Sequence, residues 1–237
     1  MNGLIAVPVY NESQTLPIVI QDLKQHFPAE NLLFINDGSR DSSGEILNAS
    51  GVPYLHHLVK IGYEETLKTG MHYALMKNFS YVVFFDADGQ HRIGDLENII
   101  NTFAEGKYDF ILGSRYKHQK KRQFSLRLLG TKIFSFLTTL YGGSKITDTT
   151  SGLKLLSRDF IPFVFDLHTE DMHAELIVAL ARRGARIHEV KIKINPRIGG
   201  DSMYNFGRAF LYPARTLLCL FVGCFLMKKE KSYECSK

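Results

Sequence analysis

Two carboxylates one residue apart, Asp86 and Asp88, close the run Tyr81-Val82-Val83-Phe84-Phe85 and are followed by Gly89, Gln90 and His91. The five apolar, β-branched or aromatic residues read as a strand covered on both faces. Alternate side chains of an extended chain share a face, so the two carboxylates leave on the same side. A hard oxygen pair of this kind suits Mg²⁺ or Mn²⁺ when a diphosphate supplies much of the remaining shell. A polar turn closing a strand uses the same residue types, and the stretch taken alone fits both readings. The choice depends on what the rest of the chain brings to the same place.

Leu4–Val9 is a short apolar run, read as the first strand, with Pro8 near its end because proline donates nothing to a ladder. Polar Tyr10-Asn11-Glu12-Ser13 follows, and Ser13 or Thr15 is placed to cap a helix. Leu16, Val19, Ile20, Leu23 and Phe27 share one face of that helix, which Pro28 stops. A second strand, Asn31–Asn36, ends in Asp37-Gly38-Ser39. Next come a short helix from Ser42 or Ser43 to Asn48, a strand over Tyr54–Val59, and a helix over Glu64–Asn78. Gly70 inside that helix implies a close approach of backbone or ligand, or merely a weak spot. A helix over Asp95–Glu105 and a strand over Tyr108–Leu112 continue the pattern. Such alternation predicts an α/β fold, a mostly parallel sheet flanked by helices. Ligands of these sheets gather at the carboxyl ends of the strands. Tyr10-Asn11-Glu12, Asp37 and Asp86-Ala87-Asp88 lie at three such ends, which favours the metal–phosphate reading.

Other nucleotide signatures are missing. No G-x-x-x-x-G-K-[ST] or G-x-G-x-x-G follows the first strand. Gly89 is the fourth residue counted from Asp86, whereas an EF-hand loop needs glycine at the sixth. Any nucleotide is therefore held by carboxylates, metal and scattered side chains.

The second half differs in character. Phe124–Tyr141 is an apolar helix with a few cations, Thr147–Gly152 is a turn-forming stretch, and Ala174–Arg183 is a helix ended by Gly184. His173, just before it, reads as a helix-surface residue. Val190-Lys191-Ile192-Lys193-Ile194 alternates strictly, as an edge strand with one wet face does. Thr216–Met227 carries no charge, yet as a helix it spans only about 18 Å, short of the roughly 30 Å of a bilayer core. It reads as a segment lying on or dipping into a membrane, or as a core or dimer helix. The division expected is a main domain over 1–209 and an apolar segment with a basic tail over 210–237.

At 237 residues and 45% hydrophobic content the chain can build a full core, and nothing in it reads as a disordered tract. Its net charge of +5 is unevenly spread, with cations concentrated at Lys117–Arg122 and Lys228–Lys231. Such runs suit phosphates or lipid headgroups, and no nucleic-acid partner is expected. Cys219, Cys224 and Cys235 have neither paired spacing nor neighbouring histidines, which argues against a zinc site or a disulfide framework. The N-terminus enters a strand directly, so the expectation is a cytoplasmic protein, peripheral on the cytosolic face of a membrane.

The chain resembles the family-2 glycosyltransferases of GT-A (Rossmann-like) fold, in particular their polyprenyl-phosphate branch. The residues that carry the resemblance span about 3–215. They are Ala6–Glu12, Asn36–Asp41, Asp86–His91, Gly113–Tyr116, Asp148–Gly152 and the Arg197–Ser202 loop. The resemblance implies nucleotide-sugar contacts from Pro8, Tyr10, Asn11, Glu12, Asp37, Lys60, Asp86, Ala87 and Asp88. It implies a Mg²⁺ or Mn²⁺ site on Asp86 and Asp88 with Gln90 as a further ligand. Arg115, Arg127, Arg197 and Ser202 correspond to positions that contact phosphate, with Arg115 and Arg197 acting in catalysis beside the two aspartates. Departures from the family pattern are Lys60-Ile61-Gly62, where asparagine usually precedes the glycine, Ser151-Gly152-Leu153-Lys154 for Ser-Gly-Phe-Arg, and Gly130-Thr131 where a serine is expected.

The activity this implies is metal-dependent transfer of a sugar, with inversion, from a nucleotide-diphosphate sugar to a polyprenyl phosphate. A phosphate nucleophile needs no general base. Transfer to a saccharide hydroxyl in cell-surface polysaccharide synthesis does, and Glu170 or Asp171 is the candidate for it. A non-catalytic nucleotide-sugar-binding subunit is the remaining alternative, and a homo-oligomer is compatible with each.

Overall fold

The computed structural model describes residues 2–115, 139, 146–166 and 172–196. In the first half, β1 (Gly3–Val9), α1 (Leu16–His26), β2 (Leu32–Asn36), α2 (Ser43–Ser50) and β3 (Tyr54–His56) alternate. They are followed by α3 (Tyr63–Met76), β4 (Tyr81–Phe84), α4 (Ile93–Ala104) and β5 (Phe110–Ser114). The second half contributes β6 (Lys154–Ser157), α5 (Ile161–Asp166), α6 (Ala174–Arg182) and β7 (Ile187–Lys191).

The strands form one sheet in the order β3-β2-β1-β4-β6-β5-β7. All pairs are parallel except those of β6, which runs against both β4 and β5. This is the mostly parallel, helix-flanked sheet expected from the alternation. Each strand feeds two cores, because successive side chains face opposite ways. Ile5, Val7 and Val9 pack with Leu16, Leu23, Leu47 and Leu96 from α1, α2 and α4. Leu4 and Ala6 pack on the other face with Leu67, Val164 and Ile177 from α3, α5 and α6. Gly70 is the close-approach glycine. A Cβ there would sit 3.0 Å from that of Ala6 and 3.2 Å from the Phe84 ring, so the missing side chain lets α3 settle on the sheet.

Several boundaries move for physical reasons. β3 stops at His56, and its three residues are all exposed at the sheet edge. The last strand begins at Ile187 and ends at Lys191, although Val190 and Ile192 are buried and Lys191 exposed as the alternation requires. Past Ile192 the backbone turns to the start of α4, where Lys193 N donates to Asp95 Oδ2 at 2.9 Å. Thr15 precedes α1 without capping it; its hydroxyl lies 2.7 Å from the Ala87 carbonyl oxygen instead. The Phe124–Tyr141 helix, the Thr216–Met227 segment and the division at 209/210 lie outside the described residues. Among those described, no helix is long and apolar enough to cross a membrane.

Candidate active site

From β1 the sheet grows outward in two directions, through β2 to β3 and through β4 to β6. At such a switch point the loops leaving neighbouring strands part and open a crevice at their carboxyl ends. Residues 10–12, 37–39 and 85–88 leave β1, β2 and β4 at this crevice.

Side chains zip the first two loops together. Asn11, in the left-handed region at φ 55°, receives the Arg40 amide on its side-chain oxygen at 2.8 Å, while its own amide donates to Ser39 Oγ at 3.0 Å. The Glu12 amide donates to Ser43 Oγ at 3.0 Å. Asp37 reaches toward the third loop: its carboxylate accepts the amides of Ile61 at 2.8 Å and Gly62 at 2.9 Å, and His57 Nδ1 lies 3.1 Å away. Gly38, at φ +63°, is packed so tightly that a Cβ would come within 2.6 Å of Lys60 N. The loop thus held sets Lys60 Nζ 3.5 Å from the centroid of the Tyr10 ring, within cation–π range.

Asp86 and Asp88 lie in the turn after β4. Asp86 is partly buried. Its Oδ1 accepts the Tyr63 hydroxyl at 3.1 Å, and His91 Nε2 lies 3.3 Å from its Oδ2. Burial pushes the Asp86 carboxyl upward, but the bond and charge of His91, the Tyr63 hydroxyl and the Lys154 ammonium outweigh it and hold the pKa below the ordinary carboxylate value. Asp88 Oδ1 accepts the Gln90 amide at 3.0 Å. Gln90 also ties the turn to the stretch after β7, exchanging bonds with the Asn195 backbone at 2.9 and 3.4 Å. Hard oxygens at Asp86 and Asp88 fit a divalent cation in part. Among the described residues no third His, Cys, Asp or Glu completes a cluster, so an ion held there would take its further ligands from water, an amide oxygen or a bound diphosphate.

The other wall comes from the 146–153 loop. Glu189, buried on β7, accepts the amides of Thr147 at 2.8 Å and Asp148 at 2.9 Å. Asp148 in turn takes Arg115 Nε and Nη2, each at 2.7 Å, and Nη2 also donates to Thr150 Oγ1 at 2.8 Å. Gly152, at the end of the loop, sits directly on the Asp86 carboxylate. Thr149 Oγ1 and Ser151 Oγ are shielded from solvent with no hydrogen-bond partner among the described residues, a state that a bound ligand or water would relieve.

Residues 4–165 match glycosyl transferase family 2. The chain belongs to that family. Among its relatives, a UDP-N-acetylglucosamine–dolichyl-phosphate N-acetylglucosaminyltransferase of Methanococcus voltae is 26% identical over 80% of this chain and 84% of its own. A polyprenol monophosphomannose synthase of Mycolicibacterium smegmatis is 29% identical over 84% of this chain and 79% of its own. The glucosyl-3-phosphoglycerate synthase of Mycobacterium tuberculosis, solved with Mn²⁺, UDP and phosphoglyceric acid, superposes with a TM-score of 0.71 at 14% identity, covering 96% and 80% of the two chains. The likeness to that structure establishes the fold, which is GT-A.

In this glycosyltransferase the expected nucleotide residues Tyr10, Asn11, Glu12, Asp37, Lys60, Asp86, Ala87 and Asp88, with Gln90, come from the carboxyl-end loops of four strands, while Pro8 lies in β1 itself, paired with Ile35 of β2. Asn11 and Asp37 hold loops together with their side chains, and Arg115 holds the Asp148 loop. Arg127, Glu170, Asp171, Arg197 and Ser202 lie outside the described residues. His173 is the correction. It does not lie on a helix surface: its ring stacks on Tyr63, centroids 6.0 Å apart and planes 7° from parallel. Burial, followed by the charge of Lys154, lowers its pKa well below the usual histidine value and keeps the ring neutral. Tyr63 and Glu189 carry no sequence signal. Lys154 does, as a charge inside an apolar strand; such a charge requires a partner, and its Nζ donates to the Met172 carbonyl at 2.7 Å.

Proposed function

We propose that this glycosyltransferase moves a sugar from a nucleotide-diphosphate sugar to a polyprenyl phosphate, inverting the anomeric carbon. The observation that carries the reading is the pair Asp86 and Asp88 at the sheet's switch point, level with the Tyr10–Glu12 and Asp37 loops. The named activities of the dolichyl- and polyprenyl-phosphate relatives support the acceptor. In the reaction, an oxygen of the acceptor phosphate forms a bond to the anomeric carbon while the bond to the donor's β-phosphate breaks. The nucleoside diphosphate leaves with the electron pair. The acceptor is already an anion at neutral pH, so the protein's task is positioning, which supplies a large part of the barrier reduction.

The Tyr10 and Glu12 loop and the loop pinned by Asp37 form the nucleoside end of this site. Lys60, drawn from the Tyr10 ring, faces the diphosphate. Asp86 and Asp88, with Gln90 as a further ligand, would hold a Mg²⁺ or Mn²⁺ ion, which would supply neutralisation of the charge on the departing diphosphate. Arg115, Arg127, Arg197 and Ser202 serve the acceptor phosphate. We place the enzyme peripherally on the cytosolic face of the membrane that holds the acceptor, with the 210–237 segment as its contact.

The test is direct. Purified protein is incubated with vesicles containing polyprenyl phosphate, Mn²⁺ and a panel of labelled uridine and guanosine diphosphate sugars. Label in a polyprenyl-phosphate sugar, lost in Asp88→Ala, supports the reading. Label recovered only in saccharide products shifts the acceptor to a hydroxyl and brings Glu170 and Asp171 into play. Metal-dependent turnover absent with every donor leaves a nucleotide-sugar-binding subunit.

A further inference from the structure

Asp86 is the point where three separate parts of the chain meet, its own turn with His91, the Gly152 loop and a tyrosine that belongs to no motif. Tyr63 opens α3 immediately after Gly62, whose φ of 109° turns the chain out of the Asp37-pinned loop and into the helix. Its hydroxyl donates to Asp86 Oδ1 at 3.1 Å. Two residues from the second half of the chain flank its ring: His173 stacks against it in a near-parallel plane, and Lys154 Nζ lies 5.9 Å from its centroid. Lys154 is itself fixed, 2% exposed on β6 and bonded to the Met172 carbonyl. The ring therefore has a floor, and the hydroxyl has one direction. With His91 against Oδ2 and Gly152 on the carboxylate, Tyr63 completes the set of contacts that hold Asp86.

We infer that Tyr63 is a positioning residue for donor binding: it fixes the Asp86 carboxylate in the orientation that receives a divalent cation together with the diphosphate. The inference rests on the donor-site reading given above. A carboxylate held by donors on both oxygens loses little freedom when it binds, and pre-organisation of this kind raises affinity without adding a contact to the ligand. Tyr63 acts through Asp86, so its influence must vanish when Asp86 is gone. The link also gives the Asp37-pinned loop a route to the cation site, because that loop and Tyr63 are joined through Gly62.

The experiment is a titration of Mn²⁺ followed by the electron paramagnetic resonance signal of the free ion, with saturating UDP and, separately, GDP. Tyr63→Phe keeps the ring on His173 and removes only the hydroxyl. It is expected to raise the Mn²⁺ concentration for half-saturation by about tenfold, the lower range for losing a hydrogen bond to a charged group. In turnover assays, half-saturation for metal and donor should rise together with a smaller change in kcat. Tyr73→Phe, on a ring that stacks with Phe79, serves as the control and should match the wild type. In the Asp86→Ala background, Tyr63→Phe should add nothing, as coupling through one partner requires. Equal Mn²⁺ binding by wild type and Tyr63→Phe, or an additive effect in the Asp86→Ala background, overturns the inference while leaving the donor site intact. A wild-type protein that binds Mn²⁺ with neither nucleotide overturns the donor-site reading itself.

Discussion

The backbone of Gly152 rests on the carboxylate of Asp86, with no room for a methyl group between them. The contact joins two stretches far apart in sequence, the turn after β4 and the loop that Glu189 and Arg115 hold. Asp86 cannot swing aside cheaply, because Tyr63 and His91 engage its oxygens. Gly152→Ala should therefore displace the carboxylate and weaken donor and Mn²⁺ binding by tenfold or more, on the order of 1.4 kcal/mol. The global fold should persist, since the strain falls on the site. Calorimetric titration of UDP or GDP with Mn²⁺, alongside circular dichroism, checks both parts; undiminished binding would refute the contact.

Asp37 gives a second prediction, because its carboxylate is a clamp on the loop that carries Lys60. Asp37→Asn replaces one acceptor oxygen with an N–H₂ group that faces backbone donors. Hydrogen bonds to a charged acceptor contribute about 1.5–3 kcal/mol each, and two of them weaken here. The amides of Ile61 and Gly62 should then exchange with solvent at least tenfold faster, as read by hydrogen-exchange mass spectrometry or NMR. Nucleotide affinity should fall in parallel. Protection unchanged in the variant would show that the loop is held by something else.

The contrast between Asp37 and Tyr63 explains what sequence could and could not convey. Strand–helix alternation reports burial, and burial decides the sheet, so the fold class and the three carboxyl-end loops were readable from pattern alone. Asp86-Ala87-Asp88 was readable as a pair because both carboxylates lie within one short turn. Tyr63 and Glu189 were not, since each acts on a residue more than twenty positions away and neither interrupts a pattern. His173 misled because a histidine beside a helix start usually faces water; here the Tyr63 ring arrives from a distant segment, stacks on it and leaves it half-buried. Asn11, Asp37 and Arg115 were singled out from motifs, yet the hydrogen bonds they make to loops depend on backbone geometry that composition does not encode.

Glu189 is the basis of a third prediction. Its buried carboxylate accepts two amides and the Thr147 hydroxyl, so it organises the loop on which Arg115 closes. Glu189→Ala leaves those donors without acceptors, at about 1–3 kcal/mol for each group stranded away from water. A net loss on the order of 3 kcal/mol corresponds to a fall in Tm of roughly 6–12 °C for a domain of this size. Glu189→Gln keeps one oxygen for the two amides and should lose less than half as much. Equal losses in the two variants would mean that volume, and not hydrogen bonding, is what Glu189 supplies.

The rim of the sheet far from the site provides a prediction in pH. Asp109 precedes β5, and its carboxylate takes a forked bond from Arg186, with Nε at 2.9 Å and Nη2 at 2.7 Å, plus the Arg186 amide at 2.8 Å. Burial raises the Asp109 pKa, but those bonds and the arginine charge overcome it and leave the carboxyl below its ordinary value of 3.8. A carboxyl whose folded pKa is depressed releases its proton more readily in the folded state, so it stabilises the fold above its unfolded pKa. That contribution fades as pH falls through the lower, folded value. Arg186 is more than half exposed, so the gain is the small one of a solvent-screened surface ion pair. Wild type should thus melt a few degrees above Asp109→Asn at pH 7, and the gap should close as pH falls below about 4. A gap that stays constant from pH 7 down to pH 3 would assign the stabilisation to the neutral hydrogen bonds and exclude the ion pair as its source.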